Sequence, residues 1–104
     1  MVTYTYDSEE NLSDKDFMVM LYTDFEKLFF YTAYKYTSNR EMAEDIVQES
    51  LVNLHQKIET IRPMDHAVLA AYVRTTVRNT AINIIKAHGY EKDLRLEDNI
   101  KTTS

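Results

Sequence analysis

Glycine and proline each occur once in the 104 residues, as Gly89 and Pro63. These two residue types supply the special backbone angles of most tight turns, so a chain with so few of them has little room for hairpins and sheets. Apolar residues also recur every three or four positions over most of the chain, which is the spacing of an amphipathic helix. The sequence therefore predicts an all-α fold: a small three- to four-helix bundle with short connections.

The first predicted helix follows an acidic, aperiodic segment that we interpret as a loose N-terminal arm over residues 1–12. Ser13, with Asp16 three residues later, resembles a helix N-cap. Apolar and partly apolar residues then recur with helical spacing: Phe17, Met18, Leu21, Tyr22, Phe25, Leu28, Phe29, Thr32 and Tyr36. We expect one helix, or two joined end to end with a break near residues 23 and 24.

The second predicted helix begins with a capping box, in which Ser38 is followed three residues later by Glu41. Such a pair satisfies free N–H groups at a helix start. The apolar pattern continues to about Glu59. Its buried stripe consists of Met42, Ala43, Ile46, Val47, Leu51, Leu54 and Ile58.

A short loop, Ile61-Arg62-Pro63-Met64-Asp65, interrupts the helical pattern. The proline disfavours helical angles at the preceding Arg62. Asp65 can then cap the helix that follows.

The third predicted helix runs from about His66 to His88, where Gly89 acts as a C-terminal cap. Its core side carries Val73, Val77, Thr80, Ala81 and Ile84, and its opposite side carries Thr75, Asn79, Ile82, Asn83 and Lys86. Residues 13–92 therefore form one helical domain. The charged segment 93–104 has no sustained period, and we interpret it as a linker or frayed tail.

Charge is unevenly spread along the chain, whose net charge is −5. Residues 1–54 hold four basic and eleven acidic residues (−7), residues 55–95 hold seven and four (+3), and residues 96–104 hold one and two (−1). An acidic half beside a mildly basic half suggests two different partners, although exposed helix faces also produce such asymmetry by chance. A chain this acidic should bind duplex DNA only weakly on its own.

What the sequence lacks disfavours several classes of protein. Without cysteine there is no disulfide framework, thiolate zinc site or cysteine nucleophile. The start has no signal-peptide pattern and no run of 18 apolar residues occurs, so we expect a cytoplasmic protein. No nucleophile–base pair, phosphate-binding loop or set of metal ligands is visible, so we expect neither an enzyme nor a metal or cofactor site.

The second predicted helix carries acidic residues on one face, with Glu41, Asp45 and Glu49 spaced four apart and Glu44, Gln48 and Val52 alongside. Each like-charged pair at this spacing costs an isolated helix roughly 0.2–0.5 kcal/mol, so helix stability does not explain the row. The helix dipole favours acids in the first turn, but Asp45 and Glu49 lie beyond it. The row suits docking onto a basic, partly apolar helical surface; a merely solvated face is the alternative.

The exposed side of the third predicted helix has features of nucleic-acid binding. Two arginines lie one turn apart, and so do two asparagines, which are poor helix residues unless their amides have partners. Such side chains can contact bases and phosphates, and tyrosines can stack on bases. The residues concerned are Tyr72, Arg74, Thr75, Arg78, Asn79, Asn83, Lys86 and Tyr90. An ordinary polar face with packing tyrosines is the alternative.

Two stretches of the sequence resemble region 2 of bacterial sigma factors of the sigma-70 family, specifically the extracytoplasmic-function group. AEDIVQESLVNLHQKI is similar to that family's helix with Ala-Glu-Asp, an aliphatic residue and Val-Gln-Glu. YVRTTVRNTAINIIKAHG is similar to its helix of the form WL-x-x-IA-x-N-x-A-x-D/N. The likeness covers about residues 15–92, and the first motif is the more specific of the two.

The resemblance implies a transcription-initiation factor with two partners and no cofactor. The first motif of the family docks on the coiled-coil clamp helices of the RNA polymerase β′ subunit. The polymerase-binding residues here would be Glu44, Asp45, Gln48, Glu49 and Val52. Basic residues on the partner would relieve the repulsion within the row. An anti-sigma factor is a further partner that the resemblance allows.

The resemblance also implies that the chain recognises and helps to melt the promoter −10 element. In such sigma factors the loop before the third helix, with that helix's first turns, captures an unstacked base of the non-template strand. That segment would be residues 62–71, with Asn79 lining the base pocket. The DNA-binding residues would be Arg62, Met64, His66, Tyr72, Arg74, Arg78, Asn79, Asn83 and Lys86.

Three departures from the family pattern qualify the resemblance. Tyr72 stands where the family usually has tryptophan, and the end of the third helix is less basic than usual. Residues 93–104 are too few to form region 4, the second helical domain of such factors, so we expect an excised domain. The alternative function is a sigma-like helical interaction module that binds polymerase or an anti-sigma factor without recognising a promoter.

Overall fold

Four α-helices make up the part of the chain that the structure describes, which is residues 12–101, with side chains for residues 12–88. In this computed structural model they are α1 (Asp14–Ala33), α2 (Arg40–Gln56), α3 (Ile58–Ile61) and α4 (His66–Lys101). No strand occurs among these residues. The predicted all-α bundle of three to four helices is confirmed.

Helix α1 begins at the predicted cap and bends close to the predicted break. The backbone N–H of Asp16 donates to Ser13 Oγ at 3.0 Å. Phe25 has non-helical backbone angles (φ −115°, ψ 16°), so the helix is kinked one residue after Asp24. Both halves of the helix face the core, since Phe17 and Leu21 are buried before the kink and Phe29 and Ala33 after it.

Helix α2 differs from its prediction at both ends. Its N-cap is Asn39, whose Oδ1 accepts from the backbone N–H of Met42 at 2.8 Å, so the predicted cap at Ser38 is wrong by one residue. The helix ends at Gln56 rather than continuing to about Glu59, because Lys57 has non-helical angles (φ −111°, ψ 26°). The single turn α3 follows and buries Ile58 and Ile61 against the core.

Helix α4 begins as predicted and continues beyond its predicted end. The carboxylate of Asp65 accepts from the backbone N–H of Val68 at 2.9 Å, which caps the first turn. The predicted stop at Gly89 is wrong, since the helix runs on to Lys101. Glycine inside a helix costs only about 1 kcal/mol relative to alanine and need not end it. The assignment of residues 93–104 to a linker or frayed tail stays a prediction. Of the predicted N-terminal arm, residues 1–12, only Leu12 is among the described residues.

The core lies where α1, α2 and α4 meet, with one face of each helix buried. Its largest fully buried side chains are Phe17, Leu21, Phe29, Ile46, Leu54, Ile61, Val73 and Val77. Each side chain of this kind stabilises the fold by roughly 1.5–3 kcal/mol on leaving water. The predicted core residues Met42, Leu51 and Ile84 are only half-buried and pack at the edge.

Two buried polar residues, Ser50 in α2 and Thr80 in α4, have their side-chain hydrogen bonds satisfied within the fold. Ser50, which the apolar pattern did not predict as buried, donates from Oγ to the carbonyl of Ile46 at 2.7 Å. Asn53 Nδ2 donates to Oγ1 of the buried Thr80 at 3.0 Å. These bonds satisfy groups that would otherwise be costly to bury, and the second one joins α2 directly to α4.

Candidate functional site

The predicted polymerase-binding row lies on the outer side of α2, because Ala43, Ile46 and Val47 of the same helix face the core. Asp45, Gln48 and Glu49 are exposed, and Val52 is 51% exposed. Glu44 is half-buried and accepts from Nε of Arg40 at 3.2 Å. Within residues 12–88, Asp45 and Glu49 have no ion pair, so their charges are available to a partner.

This row forms one wall of a surface groove that we call the acidic groove. The groove has a volume of about 340 Å³ and is lined by Asp45, Gln48, Glu49 and Val52 of α2 and by Ile84 and His88 of α4. Sequence patterns did not assign the two α4 residues to this site. Only the packing of α4 against α2 brings them there, and spacing along one helix cannot reveal that.

A second groove, which we call the apolar groove, lies on the other side of α2, against α1. Its volume is about 450 Å³ and it is lined by Lys15, Met18, Val19, Tyr22, Leu51 and His55. Val19 is 57% exposed, although it is a large aliphatic residue. No sequence feature predicted this groove.

Two glutamates, Glu26 and Glu44, lie near the hydroxyl of Tyr22, which lines the apolar groove. That hydroxyl donates to Oε2 of Glu26 at 3.4 Å. Burial raises the pKa of Tyr22 above its ordinary value, and the charges of Glu26 and Glu44 raise it further. A raised pKa disfavours ionisation of the phenol further, so its hydroxyl remains a hydrogen-bond donor.

Arg62, a predicted DNA contact, is engaged with the start of α1. Its Nη2 donates to the carbonyl of Leu12 at 2.7 Å, and its Nη1 pairs with Asp14 Oδ1 at 3.1 Å. The guanidinium carbon lies 5.2 Å from the ring centroid of Phe17. These contacts join the loop before α4 to the beginning of α1.

Other predicted DNA contacts in this region also touch the core. Met64 is half-buried and packs against core residues, and so does Tyr72. The imidazole of His66 stacks on Phe25 with ring centroids 4.8 Å apart, while the residue as a whole is exposed. Only the outer surfaces of Met64, His66 and Tyr72 are therefore open to a ligand.

The remaining predicted DNA contacts are exposed on the outer side of α4: Arg74, Arg78, Asn79, Asn83 and Lys86. At 100° per residue Asn79 lies about 140° around the helix from Ile84, so the predicted base contact and the acidic groove use different faces of α4. By the same spacing Asn79 and Lys86 share one face, Arg78 lies at its edge about 100° from Asn79, and Arg74 lies farther round, about 140° from Asn79. Their contact with DNA stays a prediction.

The described part of the chain contains neither a cluster of metal-ligand side chains nor a membrane-spanning helix. No group of three or more histidine, aspartate or glutamate side chains is placed to hold a metal ion there. None of the helices described has the length and apolar character needed to span a bilayer.

Comparison with known proteins identifies the family. Residues 21–90 match the family described as Sigma-70 region 2, and this span includes α2, the loop before α4 and most of the exposed face of α4. No curated protein and no solved structure matched the chain significantly. Because the family match covers more than half of the sequence, the chain belongs to the sigma-70 region 2 family, whose members bind RNA polymerase core and take part in promoter recognition.

Proposed function

We propose that this chain is region 2 of an extracytoplasmic-function sigma factor, that it docks on the β′ coiled coil of RNA polymerase, and that it then captures a base of the promoter −10 element. The observation that carries the proposal is the pair Asp45 and Glu49. Both occupy motif positions of the family, both are exposed, and neither has an ion pair within residues 12–88. The mechanism is binding rather than catalysis, and it operates in the cytoplasm with the polymerase.

Docking begins with charge complementarity between the acidic row and a basic helix of β′. Complementary charges steer association and select the partner, while apolar contacts at Val52 hold it. The acidic groove admits a long basic side chain whose methylene groups lie against Val52 and Ile84 while its cation lies beside Asp45 and Glu49. The like-charge repulsion in the free helix is then replaced by attraction.

Promoter recognition uses a different face of α4 from the one that lines the acidic groove. Unstacking a base costs a few kcal/mol, and a pocket that holds only the extruded base offsets this cost and stabilises melted DNA. The Asn79 amide can read a base edge, and Arg74, Arg78 and Lys86 can contact phosphates. Since the chain has a net charge of −5, polymerase supplies most of the attraction for DNA.

A second candidate function is an interaction module that binds polymerase or an anti-sigma factor without reading a promoter. One observation favours it: Arg62 and Tyr72, both predicted DNA contacts, make contacts within the fold. In this alternative the acidic row still binds the protein partner, and Asn79 has no role in reading a base.

Selection of single-stranded DNA distinguishes the two functions. Core polymerase assembled with the chain is incubated with non-template oligonucleotides randomised over the −10 region, and bound strands are sequenced. We expect the natural chain to enrich one base strongly at one position. Asn79→Ala should reduce that preference about tenfold, because a good amide-to-base pair is worth about 1–3 kcal/mol.

The control is Gln56→Ala, which removes an exposed amide at the end of α2 that is not among the predicted DNA contacts. It should select the same sequence as the natural chain. If Asn79→Ala also retains the full preference, the base pocket is assigned wrongly and the interaction module becomes the better explanation.

A further inference from the structure

The loop before α4 contacts α1 at both of its ends. At the first end, Arg62 Nη2 donates to the Leu12 carbonyl at 2.7 Å, and Arg62 Nη1 pairs with Asp14 Oδ1 at 3.1 Å. At the other end, the ring of His66, the first residue of α4, stacks on the ring of Phe25 at the kink of α1. Helix α1, with the residue that leads into it, therefore supports the segment to which base capture is assigned.

The backbone of this loop is bonded to the turn that precedes it. The loop has only four residues, 62–65, between α3 and α4. The Met64 N–H donates to the Ile61 carbonyl at 3.1 Å, and the Arg62 N–H donates to the Ile58 carbonyl at 2.9 Å. These bonds shape the turn locally. The side chain of Arg62 instead reaches partners 48 and 50 positions earlier in the sequence, so it ties the loop to a different part of the fold.

The surroundings of the Arg62 guanidinium disfavour a direct contact with DNA. Only 19% of the side chain is exposed, and the guanidinium carbon lies 5.2 Å from the centroid of the Phe17 ring. A phosphate would have to displace the carbonyl and carboxylate partners, and it would be repelled by Asp14 at close range. The fully exposed cations of α4, Arg74, Arg78 and Lys86, are the better phosphate ligands.

We propose that Arg62 is a positioning residue for base capture, which holds the loop before α4 on the start of α1 and does not itself bind DNA. The inference rests on the proposed function, and it gives Asp14 a role as the partner of Arg62. A site recognises its ligand well when its walls are in place beforehand, because ordering a loop during binding lowers the affinity. Loss of the anchor should therefore weaken recognition of the base, although no DNA contact is removed.

The test measures base preference with core polymerase saturated with the full chain. The probe is the non-template strand that the natural chain selects from the randomised oligonucleotides. Base preference is the affinity for this strand divided by the affinity for the same strand with its preferred base replaced. A general effect of charge acts on both strands alike and cancels in the ratio.

Asp14→Lys places a second cation where Arg62 now has an anion, at a residue that is not a predicted DNA contact. We expect the base preference to fall about fivefold or more, because one amide-to-base pair is worth at least that much when it is correctly placed. If Arg62 bound DNA directly, the same change would release its guanidinium to the DNA, and the base preference would not fall. The two accounts therefore predict different results for one variant.

Asp16→Lys is the matched control, because Asp16 is exposed in the same first turn of α1 and its replacement makes the same change in net charge. It should keep the base preference of the natural chain within about twofold. Arg62→Ala should lose base preference as Asp14→Lys does. Arg62→Lys should recover part of it, since lysine keeps the charge beside Asp14. Thermal unfolding verifies that each variant is folded at the temperature of the assay.

Loss of base preference in Asp14→Lys and Arg62→Ala, with Asp16→Lys unchanged, is the result that the positioning role predicts. Natural preference in both Asp14→Lys and Arg62→Ala would show that the loop needs no anchor and would overturn it. Loss in Arg62→Ala alone would indicate a direct DNA contact and would also overturn it. A natural chain that prefers no base would instead contradict the proposed function itself, and the positioning role would fail with it.

Discussion

Arg62 illustrates how one residue can have a structural role that its position in a loop does not reveal. The resemblance implied a DNA contact there, but the guanidinium contacts the Leu12 carbonyl, the Asp14 carboxylate and the Phe17 ring. These partners lie up to 50 residues away in the sequence. Local spacing cannot predict such a contact, because it depends on how α1 and the loop pack together.

Arg62→Ala should lower the free energy of unfolding by about 1–3 kcal/mol, since the part-buried hydrogen bond to the Leu12 carbonyl, the ion pair with Asp14 and the packing on Phe17 are lost together. Arg62 is the less exposed member of that pair, with 19% of its side chain exposed. Chemical denaturation measures the change. Arg62→Lys should recover only part of the stability. Lysine keeps the positive charge, but it lacks the planar guanidinium that bonds two partners at once.

Arg74→Ala serves as the control, since Arg74 is exposed on α4, and it should change stability by less than about 0.5 kcal/mol. An Arg62→Ala protein of unchanged stability that no longer binds promoter DNA would contradict the structural role and restore the predicted contact.

At the scale of the helices, the starts of helices were easier to predict than their ends. Ser13 and Asp65 cap α1 and α4 as their sequence positions suggested. For α2 both Ser38 and Asn39 are good N-cap residues, and Asn39 is the one that caps the helix. The backbone N–H of Asn39 donates to Thr37 Oγ1 at 3.0 Å. Two adjacent candidates of similar propensity cannot be ranked from sequence, since the choice depends on the incoming turn.

Asp65→Ala should destabilise the protein by about 1 kcal/mol, because the first turn of α4 loses its side-chain cap. The Val68 amide, which donates to Asp65 at 2.9 Å, should then exchange its hydrogen faster. Hydrogen exchange followed by NMR measures both effects. Asp65→Asn keeps an acceptor oxygen and should restore most of the stability; equal exchange rates in all three proteins would show that the cap does not hold this turn.

For the whole molecule, sequence periodicity predicted which face of each helix is buried, and it could not predict which helices meet. The core positions of α1, α2 and α4 follow from apolar residues that recur every three or four positions. Each groove depends instead on a pair of helices. Ile84 lies beside the acidic row because α4 packs on α2, and Val19 lies beside Leu51 because α1 packs on α2. The exposed acidic row could therefore be predicted from the sequence, and the residues of other helices that adjoin it could not.

The most direct test of the proposed function is the affinity of the chain for the β′ coiled-coil fragment at about 50 mM and about 200 mM salt, conditions between which the screening length changes appreciably. The natural chain should bind in a salt-sensitive manner, and the double variant Asp45→Lys, Glu49→Lys should lose binding. The control Asp24→Lys, Glu59→Lys makes the same change in net charge at exposed positions outside both grooves. It should bind nearly as well as the natural chain. Binding by the Asp45→Lys, Glu49→Lys variant that equals that of the natural chain at both salt concentrations would contradict docking through the acidic row.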